Sequence, residues 1–100
     1  MTMVMNLIKN GEKIGWTTPG VAIYEIAEKC LVKVSEKYDG AVIKYEFDWE
    51  KLKKDALKTI MRELKNEKFD SGTVSQLLYA LDYIKRYMNE EGIDYIEFEW

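Results

Sequence analysis

Tyr79, Tyr83 and Tyr87 recur every four residues within residues 74–90, on the helical face turned away from the aliphatic stripe Val74, Leu77, Leu78, Leu81, Ile84 and Met88. A helix that meets one core needs one apolar stripe. A second, aromatic face therefore calls for either a second packing layer inside the fold or a partner outside it.

The remaining elements can be read from turn chemistry and periodicity. Asn10-Gly11 supplies the two positive backbone angles of a tight hairpin turn. Counting outward from that turn sets Lys9 against Glu12, Leu7 against Ile14 and Met5 against Trp16. Thr18 and Pro19 then read as the cap and first turn of a helix continuing through Ile23, Ile26, Ala27 and Cys30. Residues 31–38 admit two readings. Leu31 and Val34 can prolong that helix to Tyr38, or Asp39-Gly40 can close a second hairpin pairing Tyr38 with Ala41, Val34 with Tyr45 and Val32 with Phe47. Asp48 caps a helix with the stripe Trp49, Leu52, Ala56, Ile60 and Leu64, and Thr73 is placed to cap the tyrosine helix. The closing residues 93–100 alternate, with Ile96, Phe98 and Trp100 on one face. The expected fold is a single α+β domain over residues 1–100. A small antiparallel sheet of two hairpins plus a C-terminal strand packs against two or three helices, in the order ββαββααβ.

Hydrophobic residues make up 47% of the 100 and charged residues 33%, the balance of an ordinary folded domain. A chain of this length buries roughly 60 to 70% of its unfolded surface and needs no metal or disulfide to hold a core. The lone Cys30 has no partner for an internal disulfide, and residues 1–8 lack a basic leader and are too short to cross a bilayer. A cytoplasmic protein without membrane association is expected. Net charge is −3 but unevenly spread: −1 over residues 1–48, +3 over 49–68 and −5 over 69–100. Such a dipolar surface can steer a partner.

No histidine is present, which removes the residue most used for proton transfer near neutral pH and every arrangement built on it. Cys30 has Ile26, Ala27 and Val34 rather than cations as helical neighbours and reads as packing. The six glycines sit singly at turns and caps, with no phosphate-binding pattern. Glu46 with Asp48 and Glu97 with Glu99 are paired carboxylates able in principle to hold magnesium, but charges on an edge strand also block sheet-to-sheet aggregation. No catalytic residue, metal ligand or cofactor is expected.

Two surfaces remain. Gln76, Tyr79, Tyr83, Arg86 and Tyr87 form a mixed aromatic and polar face of the kind that anchors protein interfaces. The first expectation is thus a non-catalytic protein-binding module, an adaptor, regulator or inhibitor, that meets another protein or a second copy of itself there. Lys51, Lys54, Lys58, Arg62 and Lys65 line one side of the preceding helix and can follow a phosphate backbone, so nucleic-acid binding is the alternative. Asp55, Glu50 and Glu63 lie near that row and argue for a merely solvated face.

Overall fold

The computed structural model describes residues 2–100. Its elements are β1 (Val4–Lys9), β2 (Glu12–Thr17), α1 (Ala22–Cys30), β3 (Lys33–Lys37), β4 (Val42–Glu46), α2 (Trp49–Lys65), α3 (Ser71–Glu90) and β5 (Tyr95–Glu99). This is the expected α+β order, and residues 33–37 resolve as strand: the second hairpin forms and the long helix does not. The five strands make one sheet in the order β2-β1-β5-β4-β3, antiparallel at every junction. β5 therefore lies at the centre and joins the two hairpins.

That central position fixes the core. Pairing sets Met5 and Ile43 on either side of Phe98, and Leu7 and Tyr45 on either side of Ile96. Both rows point to one face, because side chains two apart on a strand share a side. They join Ile23, Ile26 and Ala27 of α1, Leu52, Ala56 and Ile60 of α2, and Leu77, Ala80 and Ile84 of α3 in one buried cluster. All three helices thus cover the same side of the sheet. Leu64 and Leu78, expected in the core stripes of α2 and α3, are instead 55% and 53% exposed.

Both hairpins turn where expected, with positive φ at Asn10 and Gly11 in the first and at Tyr38, Asp39 and Gly40 in the second. Their registers slip farther out. Lys9 meets Glu12, but the pairing then jumps between Leu7 and Ile8, so Leu7 faces Gly15 and Met5 faces Thr17. Ile14 is the extra residue of a bulge, which sends Trp16 to the uncovered face, where it is 60% exposed. In the second hairpin Lys37, Glu36 and Ser35 pair as counted from the turn, and a shift at Val34 then sets Lys33, rather than Val34, opposite Tyr45.

α1 begins later than Thr18 and Pro19 suggested. Gly20 has φ +83°, outside helical space, so the chain can enter the helix only after it. No side chain of the entering segment caps α1; the Ala22 N–H donates to Gln76 Oε1 of α3 at 3.3 Å instead. α3 starts at Ser71 with Asp70, not Thr73, as its cap: Asp70 Oδ1 accepts from the Thr73 N–H at 3.1 Å. That bond, with a second from the Thr73 hydroxyl, holds the Asp70 carboxyl below its ordinary range. Asp48 caps α2 as expected, accepting from the Lys51 N–H at 3.1 Å.

On the uncovered sheet face, Glu97 and Glu99 sit on a central strand, so edge protection is not their role. Each accepts from Asn6 Nδ2, at 3.0 and 2.8 Å. Asn6 is fully buried, and its Oδ1 is the buried side-chain oxygen left without a partner among the described residues.

Candidate binding surfaces on α3 and α2

The tyrosine face of α3 is turned to edge strand β2. Consecutive rings lie 6.3 Å apart from Tyr79 to Tyr83 and 5.0 Å apart from Tyr83 to Tyr87. The Tyr79 hydroxyl is 2.6 Å from Thr17 Oγ1, and the Tyr83 hydroxyl donates to the Trp16 carbonyl at 2.7 Å. Tyr87 lies over Gly15, where an added Cβ would stand 2.7 Å from the ring. The bulge at Ile14 and the bare backbone at Gly15 thus make the seat for Tyr87. Burial, then the hydrogen bond to Tyr87, pushes the Tyr83 phenol up to about 12.

This arrangement supplies the second packing layer that the tyrosine spacing calls for, and it occupies part of an exposed sheet edge. Tyr83 and Tyr87 are half-buried, while Tyr79 keeps 45% of its surface. Arg86 pairs with Asp82 at 3.1 Å and lies over the Tyr83 ring. Gln76 is occupied in capping α1. Of the five residues gathered on this face, only Tyr79 and Arg86 present much surface outward.

α2 is different. Lys51, Lys54, Lys58, Arg62 and Lys65 are all exposed and fall within about 80° of one another around the helix. None takes part in an ion pair among the described residues. Two of the nearby acids are engaged elsewhere: Glu50 binds Lys53 at 3.2 Å and Glu63 accepts from the Asp70 N–H at 3.1 Å, while half-buried Asp55 lines a cleft with Ile26 and Lys29 of α1. Lys58 and Arg62 border the same cleft, which adds Lys29 to the positive surface.

Immediately beside the row, Leu57, Met61 and Leu64 are 46%, 54% and 55% exposed. They lie within about 60° of one another on the helix. With Lys54, Lys58, Arg62 and Lys65, Leu57 and Met61 line a shallow, open groove. Leu57, Met61 and Lys29 are not among the residues that the sequence singled out. The signal for the first two was the four-residue step from Leu57 to Met61, out of phase with the buried Leu52, Ala56 and Ile60.

Helix stability does not account for the row. Arg62 and Lys65 sit in the last turn, where the helix dipole favours cations, but Lys51 sits in the first, where it does not. Lys54, Lys58 and Arg62 are successive i,i+4 neighbours of like charge, an arrangement that destabilises a helix and that Asp55, three residues before Lys58, offsets only in part.

Cys30 is half-buried, and burial followed by the charge of Asp55 pushes its thiol up, away from reactivity. No helix among the described residues is long and apolar enough to cross a membrane. Comparison with protein families, curated proteins and solved structures found no match.

Proposed function

We propose that this chain is a small, non-catalytic protein-binding module that receives an acidic partner on the outer face of α2. One observation carries the reading: five cations with no ion-pair partner among the described residues border three large aliphatic side chains on one exposed helix face. Unpaired charge gives steering and register, and the aliphatic strip gives area to bury. The tyrosine face is the weaker candidate, because its hydroxyls and rings are largely engaged by β2.

The strip also weighs against nucleic acid. A phosphate backbone uses the lysines but has no need of Leu57, Met61 and Leu64, and single-strand binders rely on aromatic platforms for bases to stack on. The −5 carried by residues 69–100 further opposes a polyanion extending past α2.

The test is affinity capture with quantitative mass spectrometry, comparing wild type with a Leu57→Asp/Met61→Asp double variant whose folding is verified by circular dichroism. The reading requires a captured protein that the double variant loses. Identical capture by both proteins would remove α2 as the binding surface.

A further inference from the structure

We infer that the segment bound on α2 is an acidic amphipathic helix, with its carboxylates along one flank of an aliphatic seam; this rests on the α2 reading above. Leu57, Met61 and Leu64 follow the i, i+4, i+7 spacing of a helix-packing seam. A second helix with matching spacing interdigitates with such a seam along its length, whereas an extended strand presents side chains at a different period.

The two borders of the seam differ. One carries Lys54, Lys58, Arg62 and Lys65, reinforced by Lys29 across the cleft. The other carries Lys53, whose charge Glu50 already neutralises. A partner helix is therefore asked for carboxylates on one flank only, and this asymmetry sets its rotation about its own axis. From Lys51 to Lys65 the row extends about 21 Å at about 1.5 Å per residue, so the complementary helix has about four turns.

A second copy of this chain does not meet the requirement. The apolar residues of α1, Ile23, Ile26 and Ala27, are buried beneath its acids Glu25 and Glu28, and Asp82 of α3 is held by Arg86. Neither helix offers an aliphatic seam with free carboxylates beside it.

The probe is a synthetic peptide of about sixteen residues. It carries leucines at i, i+4, i+7 and i+11 and glutamates along one flank. A second peptide of identical composition apart from a central proline cannot form the continuous helix. Binding is followed by fluorescence anisotropy and peptide helicity by circular dichroism, with a short DNA duplex and phosphatidylserine-containing vesicles as further ligands. The expected result is binding of the first peptide with a gain in helicity and a loss of at least about tenfold in Lys58→Glu/Arg62→Glu, a double variant verified as folded. Equal binding of the proline peptide overturns the helical partner while leaving the α2 surface standing. Binding of DNA or vesicles alone, abolished by the double variant, overturns both the acidic helix and the protein-binding reading. No binding of any ligand overturns both as well.

Discussion

Lys58→Glu is expected to stabilise the free protein, an uncommon outcome for a charge reversal. Lys58 has Lys54 four residues before it, Arg62 four residues after it and Asp55 three before it, and no carboxylate among the described residues forms an ion pair with Lys54, Lys58 or Arg62. Like charges at this spacing cost about 0.2–0.5 kcal/mol per pair, and opposite charges return about the same. Reversing the central charge converts two repulsions into two attractions and the i,i+3 attraction to Asp55 into a repulsion, a net swing of about 0.4–1 kcal/mol before screening. Solvent exposure, and the less favourable orientation in which Lys54 precedes the introduced carboxylate, place the expected gain near the lower end, at about 0.5 kcal/mol. In a domain of this size that raises the melting temperature by about 2–4 °C. Thermal unfolding at low ionic strength measures it, and a repeat near 1 M salt, where the Debye length shrinks to about 3 Å, should erase most of the gain. An unchanged or lowered melting temperature at low salt would refute the reasoning, because the row would then be compensated within the chain. The predicted gain is also a functional statement: the free protein carries a destabilising row that an acidic partner would relieve.

Three further outcomes follow from the packing. Gly15→Ala drives a Cβ into the Tyr87 ring and should cost about 1–3 kcal/mol, read by urea unfolding; a loss below about 0.5 kcal/mol would mean the ring moves aside freely. Tyr83→Phe removes the hydrogen bond to the Trp16 carbonyl and should cost about 1 kcal/mol near neutral pH. The phenol of Tyr83 is raised from 10.0 to about 12, so its contribution is complete below pH 10 and is lost as pH rises toward 12; wild type should lose stability more steeply than Tyr83→Phe over that window, and parallel curves would contradict the assignment. Asp70→Ala removes the cap of α3 and should lower the melting temperature at neutral pH. Because hydrogen bonds from Thr73 depress the Asp70 carboxyl, the difference from wild type should fade as pH falls from about 3.8 through the lowered value, and a difference that persists below it would point to another cause.

What the sequence revealed divides along a physical line. Local turn chemistry was legible: Asn10-Gly11 and Asp39-Gly40 form the turns they promise, and Asp48 caps α2, because short-range sterics and one side-chain oxygen decide each case. The aliphatic period also placed Leu52, Ala56, Ile60, Leu77 and Ile84 in the core. Features set by residues distant in sequence were not legible. The bulge at Ile14 accompanies the meeting of Gly15 with Tyr87, and α1 starts at Ala22 because Gln76 of α3 supplies its cap. The central place of β5 depends on pairing with β1 and β4 at once, which alternation alone does not specify.

The candidate surfaces divide in the same way. The spacing of Tyr79, Tyr83 and Tyr87 correctly demanded an explanation, but only the fold brings β2 against them. The cation row was legible from helical arithmetic. Its unpaired state was not, because Glu63 lies close in sequence yet turns toward the Asp70 N–H, and Asp55 borders a cleft with Lys58 and Arg62 without an ion pair to either among the described residues. Leu64 and Leu78 looked like core by period, and their exposure depends on how α2 and α3 sit over the sheet.

Lysine footprinting of the protein, free and bound to its captured partner, tests the α2 surface most directly. Each lysine is acetylated under limiting reagent and quantified by mass spectrometry, with exposed Lys13 and Lys37 on the sheet hairpins as internal references. Lys54, Lys58 and Lys65 are expected to become protected in the complex while Lys13 and Lys37 react as before. Unchanged reactivity of Lys54, Lys58 and Lys65 in a saturated complex would contradict an α2 binding surface and return attention to Tyr79 and Arg86.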